Sequence, residues 1–179
     1  MDRRKFLKGT MVTTLGLASV TGIGAGAFFA IEHGNPEHLT LESILVRLQK
    51  LRRSEINLHG DWSAFHIFSH LAQSIELSMT GYPQHKPEIF KRTVGSLAFK
   101  GFSAKGRMHH NLNEDIPGVE VPSEAGNTGL AMDRLMRAIL NFEHFSGDLQ
   151  PHFAYGPLTK PEYSMAHVLH FNNHMQSLT

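Results

Sequence analysis

Apolar residues recur at steps of three and four along much of the chain after residue 39, which is the period of an amphipathic α-helix. The first stripe predicts a helix that Thr40 caps, and it consists of Leu41, Ile44, Leu45, Leu48 and Leu51. A second helix is predicted to begin at Asp61 or Ser63, two alternative N-caps, and to continue to about Met79. Each stripe supplies one face that a neighbouring element must cover.

Three further helices are predicted at residues 87–102, 130–145 and 160–177. The last of them begins with a capping box, in which the Thr159 hydroxyl accepts from the amide of Glu162 and the Glu162 carboxylate accepts from the amide of Thr159. Residues 103–129 show no apolar period and contain many turn formers, so they predict a long loop. No strand pattern occurs, and the predicted fold class is therefore all-α, with the helices packed as a bundle.

The first thirty residues have the layout of a bacterial export signal, with a basic head and an uncharged apolar run that ends in small residues. The pair Arg3 and Arg4, followed by KFLK, resembles the twin-arginine motif, which an export receptor reads. We expect an exported, periplasmic protein with a signal over residues 1–30, a linker over 31–38 and one domain over 39–179. An uncleaved signal would instead act as a membrane anchor, since about 20 apolar residues span a bilayer.

Composition limits the chemistry of the mature domain. The chain has no Cys and 13 His, so a metal site would use imidazoles, carboxylates, Met or backbone oxygens. Without residues 1–30, which carry four Lys/Arg and one acid, 13 basic and 15 acidic residues remain. This slightly acidic balance argues against a nucleic-acid partner.

Two predicted helices carry ladders of histidines. His167, His170 and His174 fall within about 60° on one helix wheel, and His66 and His70 are spaced i, i+4 on the second helix. Buried imidazoles without partners cost about 1–3 kcal/mol each, and a divalent metal removes that cost by binding one nitrogen from each ring. The other interpretation is that these histidines lie on solvated helix faces.

Other metal and cofactor motifs are absent from the sequence. It contains no HExxH motif of a zincin, no Glu-x-x-His pair of a carboxylate-bridged di-iron bundle and no CxxCH motif for covalent haem. A non-covalent haem held by two His, or by His and Met, stays an alternative.

The sequence also resembles a known group of proteins. Trp62-Ser63 followed by His70-Leu71, and later HFAYGPLTKPEYSMAHVLHFNNHMQSL, are similar to the DinB/YfiT-like superfamily of metalloenzymes, in a branch of unknown function. The sequence Ile-Pro-Gly at residues 116–118 is similar to the same branch. Two positions depart from its pattern, because Tyr163 replaces a Trp and Asn173 replaces a frequent His.

The resemblance implies a four-helix bundle with an extra short helix and a long loop between the second and fourth helices. It also implies one divalent transition ion, Zn, Ni or Fe, on His70, His170 and His174. His167 and His66 then lie one turn from these ligands, as candidate catalytic bases or alternative ligands. A function follows as an expectation: metal-activated water or thiol attacks a small-molecule substrate in hydrolysis or group transfer.

Some alternatives stay open in the sequence. A non-catalytic metal- or haem-binding bundle is the second functional hypothesis, and a homodimer is one option for assembly. His109 and His110 are interpreted as solvated loop residues, with contact to substrate as the alternative. His152 either faces the site or makes a structural hydrogen bond, and Asn173 either orients a ligand or faces water.

Overall fold

The structure is a computed structural model, and it describes residues 38–178. The predicted export signal and all of the linker except His38 lie outside the described residues. Within residues 38–178 the helices are α1 (Leu41–Leu51), α2 (Ala64–Thr80), α3 (Glu88–Phe90, Lys91–Gly95 and Ser96–Lys105), α4 (Thr128–His144) and α5 (Lys160–His174), followed by the 3-10 turn Met175–Ser177. The described part of the chain has no strand, which confirms the all-α fold class, and none of its helices is long and apolar enough to cross a membrane.

Four of the five helices form the bundle. The buried apolar cluster takes its side chains from α1, α2, α4 and α5, together with Met175 and Leu178, and it includes Leu48, Phe68, Ile139 and Phe171. The helices α2 and α4 make the most extensive contact, while α5 contacts α1, α2 and the last segment of α3. The extra helix is therefore α3, which packs on α5 and lies outside the main core.

Side-chain caps fix where the helices begin. The hydroxyl of Thr40 accepts from the amide of Ser43 at the start of α1, as predicted. Of the two alternatives for α2, Ser63 is the N-cap and its hydroxyl accepts from the amide of His66. The predicted capping box of α5, between Thr159 and its partner three residues on, is present with both hydrogen bonds.

The long connection is shorter than predicted. Helix α3 continues to Lys105 and ends where Gly106 takes a left-handed conformation with φ of 62°. Helix α4 begins at Thr128, because the side chain of Asn127 accepts from the amide of Leu130. The loop therefore covers residues 106–127, and the prediction missed both the glycine C-cap and the asparagine N-cap.

Hydrogen bonds attach this loop to α2 and to the residues before it. The side-chain amide of Asn113 donates to the carboxylate of Asp61 at 2.5 Å, and the side chain of Gln73 donates to the carbonyl of Glu120 at 3.0 Å. The carboxylate of Glu124 accepts from the backbone amide at the N-cap of α2 at 2.8 Å. These contacts place the loop across one end of α2, close to its histidines.

A π-helical turn interrupts α3 at Lys91–Gly95. Such turns widen a helix locally and often lie at functional sites. At Gly95 the backbone lies against the loop before α5, since a Cβ atom there would stand 1.9 Å from the carbonyl oxygen of Ala154. Only a glycine allows this approach, which closes one wall of a cavity that α3 and α5 line.

The close approach at Gly95 predicts the effect of adding one methyl group. We expect Gly95→Ala to lower the free energy of unfolding by about 1–3 kcal/mol, because the backbone must move to relieve the clash. Chemical denaturation measures this change. Gly101→Ala, in the same helix, is the control and should be neutral or stabilising because alanine has the higher helix propensity. Equal stability of parent and Gly95→Ala would show that α3 and the loop are not in contact.

Candidate metal centre

Three histidines from two helices meet at one point. His70 lies in α2, and His170 and His174 lie one turn apart in α5. The Nε2 atom of His170 is 3.1 Å from Nε2 of His70 and 3.1 Å from Nε2 of His174. One ligand nitrogen from each of the three rings lies within 4.8 Å of the other two. The structure thus brings together the three residues that the resemblance implied as ligands.

These separations suit a single bound ion. Tetrahedral coordination with metal–nitrogen bonds of about 2.0–2.1 Å separates two ligand nitrogens by roughly 3.3 Å. Hydrogen bonds alone fit less well, because an imidazole nitrogen makes one in-plane hydrogen bond and Nε2 of His170 has two nitrogen neighbours at the same distance. Three lone pairs directed at one ion satisfy all three nitrogens at once.

Burial keeps these rings neutral. Together with the neighbouring imidazoles, it lowers the pKa of His70 to about 3 and that of His174 to about 2. The pKa of His170 lies well below its usual value for the same reasons. A neutral imidazole offers a lone pair to a metal without first losing a proton, so the ligand set is ready at neutral pH.

Trp62 forms one wall of the cluster. Its ring stacks on His66 with centroids 4.0 Å apart, lies parallel to the ring of His174 at 5.6 Å and contacts His70 edge-on at 5.0 Å. The Nδ1 atoms of His70 and His174 are buried and have no hydrogen-bond partner among the described residues. The rings are therefore oriented mainly by packing against the indole.

His66 does not join the cluster of three. Its Nδ1 is hydrogen-bonded to the carboxylate of Glu124, and its Nε2 is 3.6 Å from a carboxylate oxygen of Asp115. Both acids belong to the loop between α3 and α4, where no periodicity shows which side chains face α2, so these partners could not be predicted. His66 is thus a buried imidazole between two carboxylates, separate from the presumed ligands.

His167 is also separate from the three rings. Its Nε2 is 3.3 Å from the hydroxyl of Ser78, and that hydroxyl donates its own proton to the carbonyl of Ile75. The Ser78 oxygen must therefore accept from Nε2, which leaves Nδ1 of His167 as the nitrogen with a lone pair. Burial lowers the pKa of His167 to about 3, so its ring is neutral at pH 7.

The interpretation of His110 as a solvated loop residue is wrong. Its ring lies 5.0 Å from that of His170 and 5.3 Å from that of His174, and its Nε2 is buried. His109 beside it is exposed, as predicted. Sequence reasoning missed His110 because a loop has no period that tells which side chain turns inward. Asn173 is likewise buried, and its amide donates to the carbonyl of His110 at 3.5 Å.

A cavity of about 230 Å³ opens beside the cluster. Its apolar and aromatic wall includes Phe90, Met108, Ile116, Phe153 and Tyr155. Its polar lining includes His70, His110, Asp115, His167 and His170. The three-histidine cluster therefore borders a space in which a small organic molecule can lie.

His152 lines this cavity too, and it makes a structural hydrogen bond at the same time, so both alternatives apply. Its Nδ1 accepts from the amides of Ala154 and Tyr155 at 3.1 Å and 3.2 Å. Since burial lowers the pKa of His152 to about 3, the ring is neutral and its proton must be on Nε2. His152 thus stabilises the turn that carries Tyr155, with a fixed tautomer.

Residues 38–178 define a helical-bundle protein with a cluster of three histidines that could hold a metal ion. The chain belongs to the family described as "Protein of unknown function (DUF1569)", whose model matches residues 35–179. No curated protein and no solved structure gives a significant match. The wider kinship with the DinB/YfiT-like superfamily stays a prediction.

The buried neutral histidines predict acid-sensitive stability for the metal-free protein. An unfolded histidine has a pKa near 6.5, whereas His167 in the fold has one of about 3, so the unfolded chain binds more protons between these values. Stability should therefore fall as the pH drops below about 6.5. His167→Leu should flatten this dependence by up to about 1.4 kcal/mol per pH unit, since one proton fewer is taken up.

Chemical denaturation in a chelator at several pH values between 4 and about 8 measures this slope. His144→Leu, which replaces an exposed histidine at the end of α4, is the matched control. An unchanged slope in His167→Leu would contradict the burial of that ring.

Proposed function

We propose that this protein is a metal-dependent enzyme that binds one divalent transition ion through His70, His170 and His174. A bound ion would supply the Lewis acidity that activates water or a thiol for hydrolysis or group transfer on a small molecule. The observation that carries the proposal is the meeting of three neutral Nε2 atoms, with 3.1 Å between neighbours, beside a cavity. Three protein ligands leave one coordination position for a reacting group, which is the arrangement of catalytic metal sites.

The geometry favours a small ion over haem. Axial haem ligands approach the iron from opposite faces, so two histidine nitrogens must stand about 4 Å apart with the macrocycle between them. The Nε2 atom of His170 is closer than this to both of its neighbours, at 3.1 Å from Nε2 of His70 and from Nε2 of His174, which leaves no room for a macrocycle between either pair. Imidazole donors suit Zn, Ni and Fe alike, so the identity of the ion is left open.

The cavity supports an enzyme more than a storage protein. A carrier needs ligands alone, whereas here the ligand cluster borders a space with a largely apolar wall. We infer a substrate that is small and mainly apolar. Lys86 and Glu114, whose charged groups are 3.9 Å apart, line the same cavity and can bind a polar group of that substrate.

Of the two predicted catalytic histidines, His167 lines the cavity and His66 does not. His167 presents a lone pair on Nδ1, but its low pKa makes it a weak base, so we assign it to accepting a hydrogen bond from substrate. Asp115 lines the cavity and also lies next to Nε2 of His66. The other ring nitrogen of His66, Nδ1, is hydrogen-bonded to the exposed Glu124. We assign to His66 the transfer of protons between the cavity and the surface through these two acids.

The residues that precede the domain support a proposal for the cellular location of the protein. We propose that the protein is exported to the periplasm, supported by the twin-arginine pair and the apolar run after it. An exporter that accepts folded proteins is consistent with a cofactor that is bound before export.

Metal content is the direct test of the proposed site. The parent protein should contain about one transition-metal ion per chain by elemental analysis. His170→Ala should weaken metal affinity by at least about 100-fold, because its Nε2 contacts both of the other ligand nitrogens. His144→Ala, which removes an exposed histidine, is the matched control and should retain the metal. Equal metal content in the parent and His170→Ala would reject the site.

The export proposal is tested by the arginine pair. A variant with Arg3→Lys and Arg4→Lys keeps the charge but changes the guanidinium groups, and it should accumulate in the cytoplasm. Fractionation of cells that produce the parent or the variant measures this. Lys8→Arg is the control and should be exported normally. Recovery of the double variant from the periplasm would show that export does not depend on recognition of the arginine pair.

A further inference from the structure

Four imidazole rings, and not three, surround the candidate metal position. The ring centroids of the three presumed ligands, His70, His170 and His174, are 4.9 to 5.1 Å apart. The ring of His110 is 5.0 Å from that of His170 and 5.3 Å from that of His174. His110 therefore packs on the cluster at the same spacing as its members, although it comes from a loop.

The tautomer of His110 is fixed in the form that binds metal. Its Nδ1 is 2.7 Å from the backbone carbonyl of Asn111, and since a carbonyl only accepts, Nδ1 must donate. In a neutral ring with its proton on Nδ1, Nε2 has the lone pair. That Nε2 atom is buried and has no hydrogen-bond partner among the described residues. It is an acceptor that lacks a donor or a cation.

Metal-bound histidines commonly have this arrangement, in which one ring nitrogen donates to a backbone carbonyl and the other binds the ion. We propose that His110 is a fourth, exchangeable ligand, which the loop between α3 and α4 brings to the ion held by His70, His170 and His174. The inference rests on the proposed function, because it assumes that the three helix-borne histidines bind an ion.

The loop origin of His110 distinguishes it from the other ligands. The helix-borne nitrogens lie within 4.8 Å of one another, and no nitrogen of His110 belongs to that set. Coordination by all four rings therefore needs a shift of the loop that brings Nε2 of His110 closer to the other three nitrogens. The amide of Asn173, next to His174, contacts the backbone of His110 and holds the loop near the site.

A fourth ligand from the loop affects how a substrate in the cavity reaches the ion. His110 lines the cavity together with His70 and His170, so a molecule in the cavity reaches the ion from the side of the loop. With His110 as a fourth ligand, a four-coordinate site would have no open position. A substrate atom from the cavity would therefore have to take the place of the His110 ring.

Cobalt(II) as the probe ion reports the ligand set by its visible absorption. The parent should bind one Co²⁺ with a spectrum of four nitrogen donors. His110→Ala should bind Co²⁺ about 10- to 100-fold more weakly, with a shifted spectrum, since one ligand is lost. Free imidazole added to this variant should restore the parent spectrum by filling the vacant position. His109→Ala, which removes the exposed neighbouring histidine, is the matched control and should behave as the parent.

The outcomes separate the two proposals. If the parent binds no Co²⁺, the proposed function fails, and the inference fails with it. If the parent binds Co²⁺ and His110→Ala gives the parent spectrum and affinity, only the fourth ligand is rejected. An equal spectral change in His109→Ala would also reject it, because the effect would then belong to the loop and not to one ring.

A measurement on the parent avoids any effect of the substitution on folding. Nitrogen-15 NMR of the histidine side chains, recorded before and after addition of Zn²⁺, shows which Nε2 atoms bind the ion. We expect four Nε2 resonances to shift, with that of His110 among them. Shifts confined to His70, His170 and His174 would overturn the inference.

Discussion

The site depends on the burial of neutral imidazoles where α2 meets α5. His170 lies at the centre of this contact, with one nitrogen neighbour from α2 and another from its own helix, each 3.1 Å away. In contact with water such rings would be protonated at moderately low pH, and their positive charges would repel one another. The apolar bundle around them limits their contact with water and so keeps the lone pairs free and close together. An ion bound there would add to the cohesion of the two helices, because metal binding free energy contributes to folding free energy.

The elements outside the core complete the site. The loop of residues 106–127 supplies an imidazole, His110, and two carboxylates, Asp115 and Glu124, to the end of α2. Helix α3 and its π turn form a cavity wall, where Gly95 lets the backbone of the next segment approach. The bundle thus holds the helix-borne ligands rigidly, while the more adaptable parts surround the space for a substrate. This division is common in enzymes, whose loops carry specificity on a rigid scaffold.

Much of the helical framework was readable from the sequence because its signals are local. The apolar stripe after Thr40 and the capping box at Thr159 act within one or two turns, so they predicted α1 and the start of α5 correctly. The spacing of His170 and His174 placed both rings on one face of α5 without any tertiary information. The errors have local causes too, since the N-cap at Asn127 and the C-cap at Gly106 were overlooked in a segment without apolar period.

The sequence by itself determined the all-α class, the main helices and the supply of histidines on two of them. Only the tertiary structure decided that His70 of α2 meets the pair on α5, because contact between distant segments depends on how whole faces pack. It also decided that His66 lies between two loop carboxylates and that His110 turns inward while His109 stays exposed. The physical reason is that helical periodicity fixes directions within one helix, whereas a loop residue takes its direction from the surface on which it folds.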